Sequence, residues 1–297
     1  MTHKKPEWLA VRHRQGQDYT YVEEILKTLS LNTVCDKAAC PNRMECYNKK
    51  TATFMILGNI CTRNCVFCNI KFGIAEDVML DEPENISEAV KKLGLKHVVI
   101  TSVTRDDLPD GGAKHFVRVI ECIRRKTPAV IIEVLVPDFQ GDKKSLSLVV
   151  QAKPEIINHN IETVPRLYPL IRKSADYKRS LKLLRTAKQL DKKIITKSGI
   201  MLGLGEHEEE VIAVLRELDS AGCEIITIGQ YLSPSKKHYP VKEYIKPIIF
   251  ERYKRVGKEM GFRHVASAPL VRSSYNAEDI FRCITNSMKS EKGVNSD

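Results

Sequence analysis

The sequence predicts an α/β fold, a parallel β/α barrel that is complete or partial. Six apolar runs between residues 51 and 232 are largely continuous rather than alternating, the pattern of parallel strands buried on both faces. Amphipathic stretches of helical period separate them, so that β-then-α units follow one another along the chain. Periodicity does not fix strand order, which leaves a doubly wound sheet as the alternative.

The strands are expected in TATFMILGNI (51–60), HVVITSV (97–103), VIIEVLVP (130–137), EIINHNIE (155–162), IITKSGIML (194–202) and EIITIGQYL (224–232). Of the helices between them, NISEAVKKLG places Ile86, Ala89, Val90 and Leu93 on one face and ends at Gly94, a natural helix stop. EEEVIAVLRELDSAG does the same with Val211, Val214, Leu215 and Leu218. Three segments follow: an amino-terminal extension (1–50), the barrel (51–260) and a carboxyl-terminal extension (261–297) with a polar tail after Phe281.

Composition narrows the function. With 42% hydrophobic and 29% charged residues, the chain has the make-up of an ordinary globular protein. No apolar run approaches the roughly 20 residues of a membrane span. The start, MTHKKPEWLAVRHRQG, has no apolar core of a secretory signal, and a cytoplasmic location is expected. The formal charge of +11 suits nucleic acid, an anionic membrane or an acidic protein. No Lys/Arg run of five and no basic stretch interleaved with aromatics supports nucleic acid, so neither nucleic acid nor membrane is expected as a partner.

Nine cysteines, six of them between Cys35 and Cys68, point to metal in a reducing compartment rather than to a disulfide scaffold. Cys122, Cys223 and Cys283 lie apart and read as buried small apolar residues. Cys61, Cys65 and Cys68 form C-x3-C-x2-C on the loop after the first strand, at the end of a barrel where chemistry gathers. A structural zinc site takes four protein ligands. No second pair with zinc-ribbon spacing follows, although Cys35, Cys40 and Cys46 could contribute to a zinc site; three thiolates can, by contrast, hold a [4Fe–4S] cubane and leave one iron open to a small molecule. Cys35, Cys40 and Cys46, spaced C-x4-C-x5-C, are by themselves open to zinc or to a helix-flanking cluster; beside the first set they read as ligands of a second cluster.

C-x3-C-x2-C after the first strand of a β/α barrel resembles the radical S-adenosylmethionine (radical SAM) superfamily. The chain further resembles its lipoyl synthase family, through KPEWL (5–9), TVCDKAACPNRMEC, VITSVTRDDLPDGGA (99–113), HNIETVPRLYP (159–169), TKSGIMLGLGE (196–206), IGQYLSPSKKHYPV (228–241) and PLVRSSY (269–275). Three small departures stand out: Tyr47 where that family often has Trp, Lys50 where it has Gly, and KFGIAEDVML without a proline after its glycine.

The resemblance implies a partial (β/α)6 TIM-like barrel of the radical SAM type, with both extensions covering its mouth. It implies two [4Fe–4S] clusters, one on Cys61, Cys65 and Cys68 that cleaves SAM, and one on Cys35, Cys40 and Cys46 with Ser274, rather than Ser273, as fourth ligand. A hard-oxygen ligand suits an iron that must be released, as in a cluster consumed as a sulfur donor. The implied activity is a sulfurtransferase that places two sulfurs, at C6 and C8, on a protein-bound octanoyl-lysine. SAM contacts are expected at Thr101, Ser102, Asn160, Glu162, Lys197, Gly199, Gly203 and Glu206. Expected partners are octanoylated lipoyl carrier domains (2-oxoacid dehydrogenase E2 subunits and glycine cleavage H protein), reduced ferredoxin or flavodoxin as electron donor, and an iron–sulfur cluster carrier. Two rivals are a radical SAM sulfur inserter acting on tRNA, which would carry an RNA-binding appendage, and a zinc-binding nucleic-acid module.

Overall fold

The computed structural model describes residues 5–11 and 16–283. The polar tail at 286–297 lies outside them. The amino-terminal extension forms α1 (Gln17–Thr28), β1 (Asn32–Thr33), α2 (Val34–Lys37) and α3 (Arg43–Asn48). β2 (Thr53–Ile56) then opens the barrel, and the short β3 (Ile60–Cys61) and β4 (Lys71–Phe72) pair with each other across the cysteine loop. The barrel continues with α4 (Glu82–Leu93), β5 (His97–Ser102), α5 (Ala113–Lys126), β6 (Ile131–Leu135), α6 (Lys143–Gln151) and β7 (Ile156–Asn158). It ends with α7 (Tyr168–Ile171), α8 (Tyr177–Leu190), β8 (Ile195–Leu202), α9 (Glu208–Ser220), β9 (Ile225–Gln230), α10 (Pro247–Met260) and β10 (His264–Ser267).

The sheet runs β1-β2-β5-β6-β7-β8-β9-β10. Each barrel strand joins the edge left by the one before it, and every pair from β2 to β10 is parallel. A doubly wound sheet would reverse direction at a switch point, and this order never does. β1 pairs antiparallel on β2 and the sheet does not close on itself, so the barrel is partial. All six expected strands are present, and β10 adds a seventh parallel one.

The helices cover the outer face. Ile86, Ala89, Val90 and Leu93 of α4 are buried, and Gly94 ends the helix in the left-handed conformation at φ 64°. Val211, Val214, Leu215 and Leu218 of α9 are buried likewise. Each such aliphatic side chain is worth about 1.5–3 kcal/mol when fully buried. Among the described residues, no helix is long and apolar enough to cross a membrane.

The inward face holds the site. Its lower end, toward the strands' amino termini, is closed by Ile156, Ile195 and Ile225, packed with Ile280 and with the partly buried Phe281. The chain after β10 turns in against β9: Gln230 N donates to Pro269 O at 3.1 Å, and a Cβ at Gly229 would stand 2.1 Å from Val271 O. It meets the amino-terminal extension through Asn42 Nδ2, which donates to Leu270 O at 2.8 Å, and Tyr275 Oη, which donates to Glu45 Oε1 at 3.0 Å. These bonds hold the two ends of the chain together beside the opening of the sheet.

Candidate active site

The loop bearing Cys61, Cys65 and Cys68 is held from both ends. At its start, Leu57 sits in the left-handed region at φ 68°, a conformation that costs a non-glycine residue about 1–2 kcal/mol. Its N–H donates to the buried Glu82 Oε2 at 2.9 Å, which also lies 2.7 Å from His115 Nε2. Its carbonyl accepts from Arg105 Nη1 at 3.2 Å, and Asp107 orients that guanidinium through bonds of 2.8 and 2.9 Å. A Cβ at Gly112 would stand 2.3 Å from Leu57 Cδ1, so this glycine makes room for the leucine.

Within the loop, the buried Arg63 donates to Asp106 at 2.6 and 2.8 Å and to Asp138 at 2.7 Å. Arg179 Nε donates to the other Asp138 oxygen at 2.8 Å. Burial pushes the Asp138 carboxyl up, but Arg63 more than offsets it and holds the group well below the usual carboxylate range. The TRDDL segment therefore serves the cysteine loop: Arg105 at its start, Asp106 at its middle. The residues missing from the sequence reading are Arg63, Glu82, His115, Asp106 and Asp138. The signal for them was an arginine inside the cysteine motif and an acid pair directly after a strand.

Cys61, Cys65 and Cys68 line one cavity together with Met55, Thr101, Ser102, Asn160, Glu162 and Arg172. Burial pushes the Cys65 and Cys68 thiols up, Cys68 to about 12, and the neighbouring cysteines push further; Arg172 pulls Cys65 back. Arg63 N–H approaches Cys61 Sγ at 3.4 Å. Gathered thiols that raise one another need positive charge to ionise together, and cluster iron supplies it. Among the described residues, no three His, Cys, Asp or Glu converge on a single metal ion. A cubane gives each thiolate its own iron, and three cysteines of one short loop lining a single cavity are the donor set it takes.

The eight expected SAM contacts divide. Thr101, Ser102, Asn160 and Glu162 line the cavity. Ser102 Oγ and Asn160 Oδ1 are buried without a hydrogen-bond partner, at about 1–3 kcal/mol each if left unmet. A polar ligand in the cavity would meet them. Asn160 Nδ2 donates to Glu162 Oε1 at 3.1 Å. Lys197, Gly199, Gly203 and Glu206 do not line the cavity. A Cβ at Gly199 would stand 2.8 Å from Asn160 Oδ1, so the glycine acts through that side chain. Glu206 accepts from the N–H groups of Gly203 and Leu204 at 2.5 and 2.9 Å and shapes the turn after β8. Lys197 is fully buried and bonded to Glu133 at 2.9 and 3.1 Å.

A second cavity is lined by Cys35, Cys46 and Ser274, with Thr53, His97 and Val99; of the expected group Cys40 does not line it, and neither does Ser273. Burial pushes Cys35 to about 11 and Cys46 to about 12, and Cys40 raises them both. Burial pushes the Arg272 guanidinium down, and the neighbouring half-buried Cys40 opposes that only in part. The RSSY segment thus reaches Cys35 and Cys46 across more than 220 residues of chain.

The departures at Tyr47 and Lys50 have local accounts. The buried Tyr47 hydroxyl shares a 2.8 Å hydrogen bond with Thr33 Oγ1. Lys50 adopts φ 54°, a backbone conformation that glycine takes without strain. Cys122 and Cys223 are buried as expected, whereas Cys283 is exposed.

The family described as the Radical SAM superfamily matches residues 55–218. Curated relatives include a lipoyl synthase of Alkaliphilus metalliredigens, 58% identical over 93% of this chain and 95% of its own length. One of Caldicellulosiruptor saccharolyticus is 57% identical over 96% and 100%. A mitochondrial lipoyl synthase of Nematostella vectensis is 53% identical over 92% and 94%. Among solved structures, methylornithine synthase PylB aligns with a TM-score of 0.54 at 14% identity over 95% of both chains. Streptococcus suis SuiB bound to S-adenosylmethionine aligns at 0.58 and 13% over 83% of this chain and 60% of its own. At such identities these two speak for the fold alone.

Proposed function

The chain belongs to the lipoyl synthase family of the radical SAM superfamily, and from that premise we propose that its two cysteine cavities share one reaction, the insertion of two sulfurs into an octanoyl chain on a carrier-protein lysine. The observation that carries this reading is that both cavities open on the same inward face. β2 gives Met55 to one and Thr53 to the other, and β5 gives Thr101 to one and Val99 to the other.

In this reading Cys61, Cys65 and Cys68 hold a SAM-cleaving [4Fe–4S] cluster, and Cys35, Cys40, Cys46 and Ser274 hold a second one. When bound, the first cluster supplies the electron that splits SAM to a 5′-deoxyadenosyl radical, and the second supplies sulfur. The protein's own residues do the positioning. Ser102 and Asn160 offer their free polar atoms to SAM, and Arg172 places positive charge beside Cys65. The apolar floor of Ile156, Ile195 and Ile225 keeps water from the lower end of the bore, where a reactive carbon centre would otherwise be quenched. C6 and C8 of the acyl chain are the carbons that exchange hydrogen for sulfur.

The substrate is a lipoyl carrier protein, and a one-electron donor serves the first cluster. The finer assignments are 2-oxoacid dehydrogenase E2 subunits and glycine cleavage H protein as carriers, with reduced ferredoxin or flavodoxin as donor and an iron–sulfur carrier for reloading. The test is mass spectrometry of an octanoyl-lysyl peptide incubated anaerobically with reconstituted protein, SAM and a strong reductant. Gain of two sulfurs is expected. Formation of 5′-deoxyadenosine with an unchanged peptide would keep the radical chemistry and overturn the substrate.

A further inference from the structure

Helix α8, with the sequence YKRSLKLLRTAKQL, contains no acidic residue. Its apolar face, with Leu183, Leu184 and Ala187, is buried. Lys178, Lys182 and Arg185 recur at helical spacing on the opposite side, and all three are exposed. Exposed Lys143, Lys144 and Lys173 add to them near the helix's amino-terminal end. A Cβ at Gly141, just before α6, would lie 3.2 Å from Arg179 Cδ, which brings the Lys143 end of α6 beside the first turn of α8.

None of these six cations forms an ion pair among the described residues. Carboxylates at this end are already engaged. Asp142 accepts from the N–H groups of Lys144 and Ser145, Asp176 accepts from Arg179 N, and Glu217 is bonded to the Tyr177 hydroxyl. On two other helices basic residues are paired: Arg124, Arg125 and Lys126 of α5 meet Glu155, Glu84 and Glu88, and Arg252 of α10 meets Glu208. The face formed by α8 and the start of α6 thus gathers six exposed cations and, on α8 itself, no acidic residue.

That side adjoins the SAM-cleaving cavity. Arg172 and Ala175, in the segment that leads into α8, line it, as does Asp138, the partner of Arg179. Exposed like charges closer than a Debye length of about 8 Å repel one another, and an anionic surface relieves that repulsion. We infer that the face formed by α8 and the start of α6 docks a carboxylate-rich protein surface, that of the carrier whose acyl-lysine enters the cavity. The inference rests on the function proposed above. RNA fits the face less well: stacking rings normally accompany such cations. The one aromatic of α8, Tyr177, packs edge-on against Tyr168 and is bonded to Glu217.

The test uses the reconstituted full chain and its K178E/K182E/R185E variant. Turnover is measured on an octanoylated lipoyl domain of net negative charge and on a short neutral octanoyl-lysyl peptide. Carrier affinity is read separately by fluorescence anisotropy between low and high salt. The variant should raise the KM and Kd for the carrier about tenfold or more and flatten their salt dependence. Its kcat and its turnover of the short peptide should stay as in the parent. Unchanged carrier affinity and salt slope overturn the inference, as does loss of affinity for a labelled RNA oligomer with carrier binding intact. Charge-dependent carrier binding in a protein that turns over neither substrate sustains the docking face and overturns the sulfur-insertion reading instead.

Discussion

Thr53 and Met55 stand two residues apart on the inward face of β2 and line different cavities, Thr53 that of Cys35, Cys46 and Ser274, Met55 that of Cys61, Cys65 and Cys68. Two residues of strand span about 7 Å, so one extended acyl chain lying along this face passes both cysteine sets. The division of labour is separable by mutation. Cys61→Ala should abolish 5′-deoxyadenosine formation, while Cys40→Ala should preserve it and stop sulfur insertion. Sulfur transfer persisting in the Cys40 variant, by mass spectrometry of the peptide, would overturn the role given to the second set.

Gly199 shapes the SAM cavity without lining it. An alanine there would place its methyl 2.8 Å from Asn160 Oδ1 and 2.7 Å from Thr227 Oγ1, closer than unstrained atoms allow. Asn160 must move, and its free carbonyl oxygen moves with it. Gly199→Ala is expected to weaken SAM binding about tenfold, or ~1.4 kcal/mol, with the iron content of the protein unchanged. Equilibrium dialysis with labelled SAM decides the matter; parental affinity would show that Asn160 is not a contact.

The clamp on Leu57 predicts a selective cluster defect. Arg105→Lys loses the planar fork that holds the Leu57 carbonyl and Asp107 together, and Glu82→Gln removes the charge that engages His115 beside the Leu57 N–H. Each variant should lose about half its iron on purification, the share of one of two [4Fe–4S] clusters, and should lose SAM cleavage in parallel. Mössbauer or EPR spectra of a Cys35→Ala background would show which cluster remains. Full iron content with parental cleavage would refute the clamp.

Much of this was legible in the sequence, for identifiable reasons. Burial on both faces makes VIIEVLVP or IITKSGIML nearly continuous apolar runs, and the clustering of cysteines within the first 68 residues announces metal chemistry. β10, with His264 and Ser267 at its ends, is too short and too polar to register as a strand. The pairing of Arg63 with Asp106 and Asp138 spans 43 and 75 residues and leaves no local trace. Lys197 illustrates the ambiguity of a lone charge in an apolar strand. Its place in a glycine-rich motif suggested a ligand contact, yet the other such charge, Glu133 in VIIEVLVP, is its partner.

Acid should loosen the protein in a predictable window. His159 is buried, 2.9 Å from Val136 O through Nδ1 and 3.0 Å from Ser180 Oγ through Nε2. A carbonyl can only accept, so Nδ1 carries a proton, while the single Ser180 hydroxyl proton is shared between Nε2 and the Asp176 carbonyl 3.1 Å away. Burial and then Arg172 push its pKa down to about 4, from an ordinary 6.5. The folded value is the lower one, so this contribution to stability is whole above pH 6.5 and falls away as pH drops toward 4, because the unfolded chain takes up the proton first. Glu133 extends the loss at lower pH: burial raises its pKa, but Lys197 more than offsets this and holds it to about 2, so its contribution disappears between 4.5 and about 2. Between pH 7 and pH 5 the His159 effect amounts to about 2 kcal/mol. Urea denaturation of reconstituted protein at the two pH values should show that loss, and His159→Gln, which has no charge to gain, should lack it. Equal losses in parent and variant would mean that His159 titrates in the folded protein as it does in the unfolded chain.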